Sequence, residues 1–129
     1  MRTVVRFRTE RGLFAIPVDQ TRAVYPAEGI VALPEAREDV AGVVQRPEGP
    51  ITVLSALGPG DRHVLVLDAA GRLFGLLVEE VTGLERLDEA DIGPPPDGQE
   101  SSLVVGTLSS GGEMVLLVDA AALARRLEP

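Results

Sequence analysis

Most apolar residues of this chain fall in short runs of Val and Leu that Gly and Pro interrupt. Short apolar runs bounded by turn-forming residues are typical of β-strands. In residues 5–8 apolar and charged side chains alternate, as they do on a half-exposed strand. The pattern predicts strands at residues 5–8, 13–18, 41–44, 51–54, 64–67, 73–78, 103–108 and 114–118.

The glycine- and proline-rich segments predict where the chain turns. Residues 47–50 and 109–112 are typical of hairpin turns, and residues 58–61 are typical of a loop between two halves. Residues 93–98 include three consecutive prolines, which lack backbone donors and therefore exclude a helix or a central strand. We expect that segment to be an extended, exposed connector.

Helical structure is predicted near the C-terminus. Asp119 is a favourable N-cap for the helix-forming residues 120–127. Leu123 and Leu127 are four residues apart and share one face of that helix. Residues 34–39 predict no more than one short turn.

The two halves of the chain resemble each other. Residues 13–20 align with residues 73–80 at an offset of 60, and residues 40–44 and 51–56 align with residues 104–108 and 115–120 at an offset of 64. Gly42 and Gly106 coincide in this alignment. Two copies predict a pseudo-symmetric pair of small barrels, although any two strands rich in Val and Leu share some likeness.

Two predicted strands, residues 64–67 and 114–118, are apolar on both faces. An antiparallel strand usually presents one polar face to water, so such strands need a second covering layer. The neighbouring barrel or a partner protein could supply it. Any apolar side chain left exposed would favour association.

Composition narrows the possible functions. The 129 residues form one domain, or two small subdomains around a shared core. The net charge of -8, with 20 acidic and 12 basic residues, opposes nucleic-acid binding and attraction to anionic membranes. The absence of Cys excludes thiol catalysis, disulfides and zinc–thiolate sites. The longest apolar stretches are far too short for membrane insertion, and no signal peptide is visible, which predicts a cytoplasmic protein.

Candidate catalytic groups are few. His63 is the only histidine, and the serines at positions 55, 101, 102, 109 and 110 lie in turn-like contexts. We therefore expect His63 to be a solvated histidine at a strand end, and we predict no metal site. The carboxylates Glu79, Glu80, Asp88 and Asp91 leave one alternative open, a small ligand-binding barrel or enzyme with a polar pocket.

The order and spacing of several motifs resemble those of CheW-like chemotaxis coupling proteins. The first half has Phe-Ala-Ile-Pro-Val at residues 14–18 and Val-Ala-Gly-Val-Val at residues 40–44. The most specific segment is residues 71–81, followed by Ile92 and the proline run. The resemblance covers nearly the whole chain.

This resemblance implies an all-β fold of two SH3-like five-stranded barrels packed together, with a short C-terminal helix. Residues 1–129 would form one CheW-like domain, divided into halves at about 1–61 and 62–129, with strand exchange between the halves allowed. It also implies a non-enzymatic adaptor without cofactor. Its partners would be the regulatory domain of a chemotaxis-type histidine kinase and the cytoplasmic helical tip of a chemoreceptor. A CheW-like scaffold in a non-flagellar kinase pathway is the alternative.

The first half departs from the family pattern at polar surface positions. Where the family has Asn-Leu-Arg-Gly, this chain has Gln-Arg-Pro-Glu at residues 45–48, so the family's Arg falls at Pro47. Ala23 stands where the family has Glu. Altered partner choice and neutral drift both explain these changes. By resemblance, the predicted partner-binding residues are Thr21, Ala23, Val24, Gln45, Arg46, Pro47 and Glu48.

Overall fold

The computed structural model describes residues 2–96 and 103–128. These residues form ten strands, two 3₁₀ turns (Val18–Gln20 and Glu89–Asp91) and one helix, α1 (Ala120–Arg125). The strands are β1 (Arg2–Thr9), β2 (Gly12–Pro17), β3 (Thr21–Pro26), β4 (Val40–Arg46), β5 (Gly49–Leu54), β6 (His63–Ala69), β7 (Arg72–Val78), β8 (Glu80–Leu87), β9 (Val104–Ser110) and β10 (Glu113–Val118).

Every predicted strand is present, but two strands, β3 and β8, were not predicted. Both lie at sheet edges, where one side of the strand has no hydrogen-bonded neighbour. Half of their side chains are exposed and nearly all the others are half-buried, so neither strand has a continuous apolar run. Edge strands are often polar or interrupted by proline, which weakens their hydrophobic signal.

The strands form two five-stranded sheets. Sheet A has the order β8-β1-β2-β10-β9, and sheet B has the order β3-β6-β7-β5-β4. Each sheet forms one SH3-like barrel, here called barrel A and barrel B. Since β1 and β2 lie with β8, β9 and β10, each barrel contains strands from both halves of the sequence. A boundary near residue 61 therefore divides the two sequence repeats, but it does not divide the two barrels.

The strand registers agree with the predicted duplication. The parallel pairs Val53↔Gly75 in sheet B and Leu117↔Ala15 in sheet A are related by the offsets of 60 and 64. The two edge strands that were not predicted are related by the offset of 60 as well. Val24 of β3 pairs with Leu65, and Leu84 of β8 pairs with Val5. Identical register in both barrels is not expected from a chance likeness between apolar strands.

Gly42 and Gly106, which coincide in the repeat, are glycines for the same physical reason. Beside Gly42, the connector pairs with β4 through a Val31↔Val43 bridge, and beside Gly106 the connector pairs with β9 through a Gly93↔Thr107 bridge. A Cβ on Gly42 would lie 2.2 Å from the Val31 carbonyl oxygen, and one on Gly106 would lie 2.9 Å from the Gly93 carbonyl oxygen. Both glycines permit a close backbone approach.

Three apolar cores hold the fold together. Val64 and Val66 belong to the interior of barrel B, and Ala15 and Leu117 belong to the interior of barrel A. The largest core, called here the joint core, lies between the barrels and includes Leu65 and other residues of both sheets. The second face of residues 64–67 is thus covered by the neighbouring barrel, as one of the two alternatives predicted.

The other strand predicted to be apolar on both faces, residues 114–118, is covered on both faces except at its first residue, Met114. Val115 and Leu117 are buried in barrel A, and Leu116 packs against the joint core. Met114, however, is 62% exposed, which leaves an apolar side chain on the surface. For Met114 the expected covering layer is absent among the described residues.

The helix closes the joint core. Asp119 Oδ1 accepts a hydrogen bond from the Ala121 amide at 3.0 Å, as predicted for an N-cap. The helix ends at Arg125, two residues before the predicted end. Its buried side chains all belong to the joint core: Ala120, Ala122, Leu123 and Ala124.

The predicted turns are short. The two hairpin turns contain residues 47–48 and 111–112, and residues 34–39 form turns without a helix. Within the predicted connector, Thr107 donates a side-chain hydrogen bond to the Pro94 carbonyl at 3.1 Å. Residues 97 and 98 of that connector lie outside the described residues, as do Ser101 and Ser102. No helix among residues 2–96 and 103–128 is long and apolar enough to cross a membrane.

Candidate partner-binding surfaces

The predicted partner-binding residues lie on the two edge strands of barrel B. Thr21, Ala23 and Val24 are on β3, and residues 45–48 span the end of β4 and its hairpin turn. The two edges meet at Arg46, whose guanidinium carbon lies 3.3 Å from the centroid of the Tyr25 ring. The fold thus brings both predicted segments to one end of barrel B.

Arg46 points toward the barrel edge instead of outward. Strand alternation places it on the same face as buried Val44 and opposite to Gln45. A cation over an aromatic face contributes about 0.5–2 kcal/mol. Because Arg46 is held on Tyr25, it does not share the outward face of Pro47, the position where the family pattern has its Arg.

The predicted residues therefore divide between two surfaces. Val24 and Gln45 are exposed on the outer face of the edge strands, and Pro47 is exposed in the β4–β5 turn. We call these three residues the outer tip. Ala23 and Arg46 lie on the inner face, where Ala23 packs against the barrel B core. Thr21 is less available than expected, because its hydroxyl donates to the Val18 carbonyl at 2.7 Å.

The inner face opens into a groove at the end of barrel B. This groove, the barrel B mouth, has a volume of about 490 Å³. Apolar side chains form its floor, and the rim carries the Arg22–Asp68 ion pair and Glu48 from the β4–β5 turn. Its lining residues are Arg22, Ala23, Tyr25, Glu48, Val66, Asp68, Gly71 and Leu73.

The equivalent end of barrel A is filled by polar side chains. The repeat places Arg6, Glu85 and Ser110 where barrel B has Val66, Tyr25 and Arg46. Arg6 donates to Ser110 Oγ at 3.0 Å and to Glu85 Oε1 at 3.2 Å, and Ser110 donates to Glu85 Oε1 at 2.9 Å. This part-buried network links β1, β8 and β9. Hydrogen bonds between polar side chains therefore close the end of barrel A, whereas the equivalent end of barrel B is a groove.

A second groove lies where the chain crosses from barrel A to barrel B. It follows the 3₁₀ turn Val18–Gln20 and has a volume of about 480 Å³. Val18 and Val105 line it with 37% and 51% exposure, and Arg2 and Asp119 add charges. Gln20 Oε1 is buried and has no hydrogen-bond partner among the described residues. We call this the crossover groove; the sequence did not predict it.

The exposed apolar side chains extend beyond the predicted site. Leu84 on β8 is 68% exposed, and Val31 in the connector before β4 is 64% exposed. Leu84 was missed because its strand was not predicted, and Val31 because it lies outside any predicted strand. The sequence predicted apolar exposure through the two strands that are apolar on both faces, one of which contains Met114, and through the predicted binding residue Val24.

The candidate catalytic groups do not form one cluster. The Glu80 carboxylate forms ion pairs with Arg8 at 3.4 Å and with Arg62 at 3.6 Å. Asp91 lines a groove beside the β9–β10 hairpin, and none of Glu79, Glu80 and Asp88 lines that groove.

His63 differs in part from its prediction. It begins β6, as expected, but it is half-buried, and its Nδ1 atom is buried without a hydrogen-bond partner in the described part of the chain. Among residues 2–96 and 103–128, no group of three or more His, Cys, Asp or Glu side chains could hold a metal ion.

Fold and surfaces together define a paired SH3-like barrel protein with a joint core and exposed apolar side chains at its barrel edges. A family model described as the CheW-like domain matches residues 3–128. The chain therefore belongs to the CheW-like domain family, as the sequence motifs indicated.

Two known proteins illustrate the relationship. The chemotaxis protein CheW of Rhizobium meliloti (strain 1021) is 26% identical over 130 residues, which cover 92% of this chain and 84% of that protein. The crystal structure of the scaffolding protein TtCheW from Thermoanaerobacter tengcongensis matches with a TM-score of 0.81 at 22% identity. That match covers 92% of this chain and 88% of TtCheW.

Proposed function

We infer that this chain is an adaptor of chemotaxis signalling that couples a histidine kinase to chemoreceptors. The observation that carries this inference is the family match over residues 3–128, which spans both barrels and the helix. The relative from Rhizobium meliloti is a chemotaxis protein, and TtCheW is a scaffolding protein. An adaptor works by holding partners together, so rigid barrels with separate exposed surfaces suit the task.

We propose that the adaptor acts in the cytoplasm, by binding alone and without a catalytic step. Its proposed partners are the regulatory domain of a chemotaxis-type histidine kinase and the helical tip of a chemoreceptor. Glu80, one of the candidate carboxylates, forms ion pairs with Arg8 and Arg62, which supports a structural role for it. The joint core supports this mode of action, because it keeps the two barrels in a constant relative position for two partners.

We propose that the receptor tip contacts the end of barrel B and the adjacent crossover groove. Exposed Val24 and half-exposed Val18 supply apolar contact, and Gln20 Oε1 is a buried acceptor without a partner among the described residues. An amphipathic helix laid in such a groove would bury its apolar face and leave polar groups at the rim. The proposed contact residues are the predicted ones, Thr21, Ala23, Val24, Gln45, Arg46, Pro47 and Glu48.

Binding measurements test the adaptor function directly. Calorimetry with the kinase regulatory domain and with the receptor cytoplasmic fragment from the same genome should show a distinct complex with each. A protein that binds neither at tens of micromolar is not this adaptor.

One pair of variants tests the proposed receptor surface. Val24→Asp should weaken receptor binding about tenfold, because it buries a charge against an apolar surface. Leu84→Asp makes the same change on barrel A and should leave receptor affinity unchanged. Equal effects of both variants would contradict a receptor site at barrel B.

The altered hairpin turn supports a second possibility, that this adaptor serves receptors of a different, non-flagellar pathway. Arg46 is engaged by Tyr25 and leaves the outer tip without a cation at residues 45 and 47. Pro47→Arg restores a cation there and should strengthen binding to receptor tips of ordinary chemotaxis systems. Unchanged affinity would mean that the turn does not select the partner.

A further inference from the structure

The negative charge of the chain is concentrated in one segment. Residues 87–124 contain seven Asp or Glu and no Arg, Lys or His, whereas the rest of the chain contains 13 acidic and 12 basic residues. This segment includes the 3₁₀ turn Glu89–Asp91 and strands β9 and β10, which form one edge of barrel A. Nearly all of the net charge of -8 therefore lies in this segment.

A groove with a volume of about 410 Å³ lies beside the β9–β10 hairpin of the same segment. We call it the hairpin groove, and the lining residues that matter here are Asp91, Gly93, Thr107, Ser109, Glu113 and Met114. Hydrogen bonds fix one wall: the Gly93 amide donates to the Thr107 carbonyl at 2.7 Å, and the Thr107 hydroxyl donates to the Pro94 carbonyl at 3.1 Å. Met114, which is 62% exposed, adds an apolar surface.

The charges that line the hairpin groove do not cancel. Asp91 and Glu113 are both exposed, neither forms an ion pair within the described residues, and no basic side chain of that part of the chain lines the groove. Other carboxylates of the segment are used by the fold, because Glu89 pairs with Arg2 at 2.9 Å and Asp119 caps the helix. The two carboxylates of the groove are therefore available to a cation.

The internal repeat shows that the fold does not require these carboxylates. The bridges Val31↔Val43 and Gly93↔Thr107 are equivalent, so Asp91 corresponds to Gly29 of barrel B. The hairpin pairs Arg46↔Gly49 and Glu113↔Ser110 are equivalent too, so Glu113 corresponds to Gly49. Barrel B thus forms the same connector and hairpin with glycine at both positions.

We propose that the hairpin groove binds an arginine side chain presented by a partner protein. The guanidinium donates to the carboxylates of Asp91 and Glu113, and the aliphatic part of the arginine packs on Met114. The concentrated negative charge of residues 87–124 also speeds the approach of a basic segment. The groove shares no lining residue with the crossover groove, so the proposal does not rest on the receptor surface proposed above.

A short peptide tests the hairpin groove without a kinase or a receptor. Acetyl-Gly-Arg-Gly-amide is titrated into the isotope-labelled full chain to about 10 mM, where millimolar binding is visible. The Met114 methyl and the amides of Ser109 and Gly112 should shift together, whereas the Val24 methyls should not move. A citrulline peptide, which keeps the shape of arginine without its charge, should bind about tenfold more weakly. A lysine peptide should bind about threefold more weakly, because it lacks the planar fork of donors.

Two variants separate contact from general attraction. Glu113→Gln should lower affinity for the arginine peptide about fivefold, because one of the two carboxylates is lost. Glu28→Gln changes the net charge equally at an exposed residue of barrel B and should leave the affinity unchanged. The proposal is overturned if the groove residues do not shift, if the citrulline or lysine peptide binds as tightly as the arginine peptide, or if the two variants have equal effects.

Discussion

Phe7 is the residue whose removal should most clearly weaken the joint between the barrels. Its side chain has 0% exposure, and its ring stacks on Phe14 with centroids 5.6 Å apart and an interplanar angle of 18°. Both residues belong to the joint core, whose other members come from both sheets and the helix. Phe7→Ala would leave a cavity that neighbours anchored on two barrels can fill only in part.

The expected loss follows from the burial. Replacing a fully buried Phe by Ala costs about 3–5 kcal/mol, which includes the cavity. The entropy of unfolding is about 2.1 cal/mol/K per residue, or about 0.27 kcal/mol/K for a chain of 129 residues. A loss of about 4 kcal/mol therefore corresponds to a fall of about 15 °C in melting temperature. This is a large part of the total stability of about 5–15 kcal/mol usual for a domain.

Calorimetry and circular dichroism of the variant measure both the size of the loss and the cooperativity. Because the joint core contacts both barrels, the wild type and Phe7→Ala should each unfold in a single transition. Leu67→Ala is the matched variant in the other barrel: Leu67 also has 0% exposure, and it lies opposite Phe74 as Phe7 lies opposite Phe14. We expect it to cost about 2–5 kcal/mol.

Two results would refute this reasoning. A Phe7→Ala protein that melts within about 3 °C of the wild type would mean that the joint core contributes little to stability. A thermogram with two separate transitions, one of them unshifted, would mean that each barrel folds alone. Val31→Ala is the control, because Val31 is 64% exposed. It should change the free energy of unfolding by less than about 0.5 kcal/mol.

Two further predictions concern the backbone. Gly42→Ala should destabilise the chain by roughly 2 kcal/mol or more in urea unfolding, because the new Cβ would lie 2.2 Å from the Val31 carbonyl oxygen; a neutral result would mean that this connector moves away at little cost. Asp119→Ala should cost about 1 kcal/mol by loss of the hydrogen bond to the Ala121 amide, and Asp119→Asn should retain most of it. Equal losses in the two Asp119 variants would exclude the cap as the cause.

The candidate site could be predicted only in part. The turn at residues 47–48 was visible in the sequence, since proline and glycine enclose it between apolar runs. The contact of Arg46 with the Tyr25 ring was not visible, because Tyr25 belongs to a strand that pairs elsewhere in the sheet. The difference between the barrel mouths was also hidden, since it depends on which side chains of β1, β8 and β9 face one another.

The sequence by itself determined the strand-rich class, most strands, the capped helix and the duplication, because alternation, turn residues and repeated motifs are local properties of the chain. Only the tertiary structure decided that each barrel takes strands from both halves, since strand exchange leaves every local pattern unchanged. It also decided which apolar residues enter the joint core and which stay exposed. Leu65 faces the joint core and is 1% exposed, whereas Leu84, on the edge strand β8, belongs to none of the three cores and is 68% exposed.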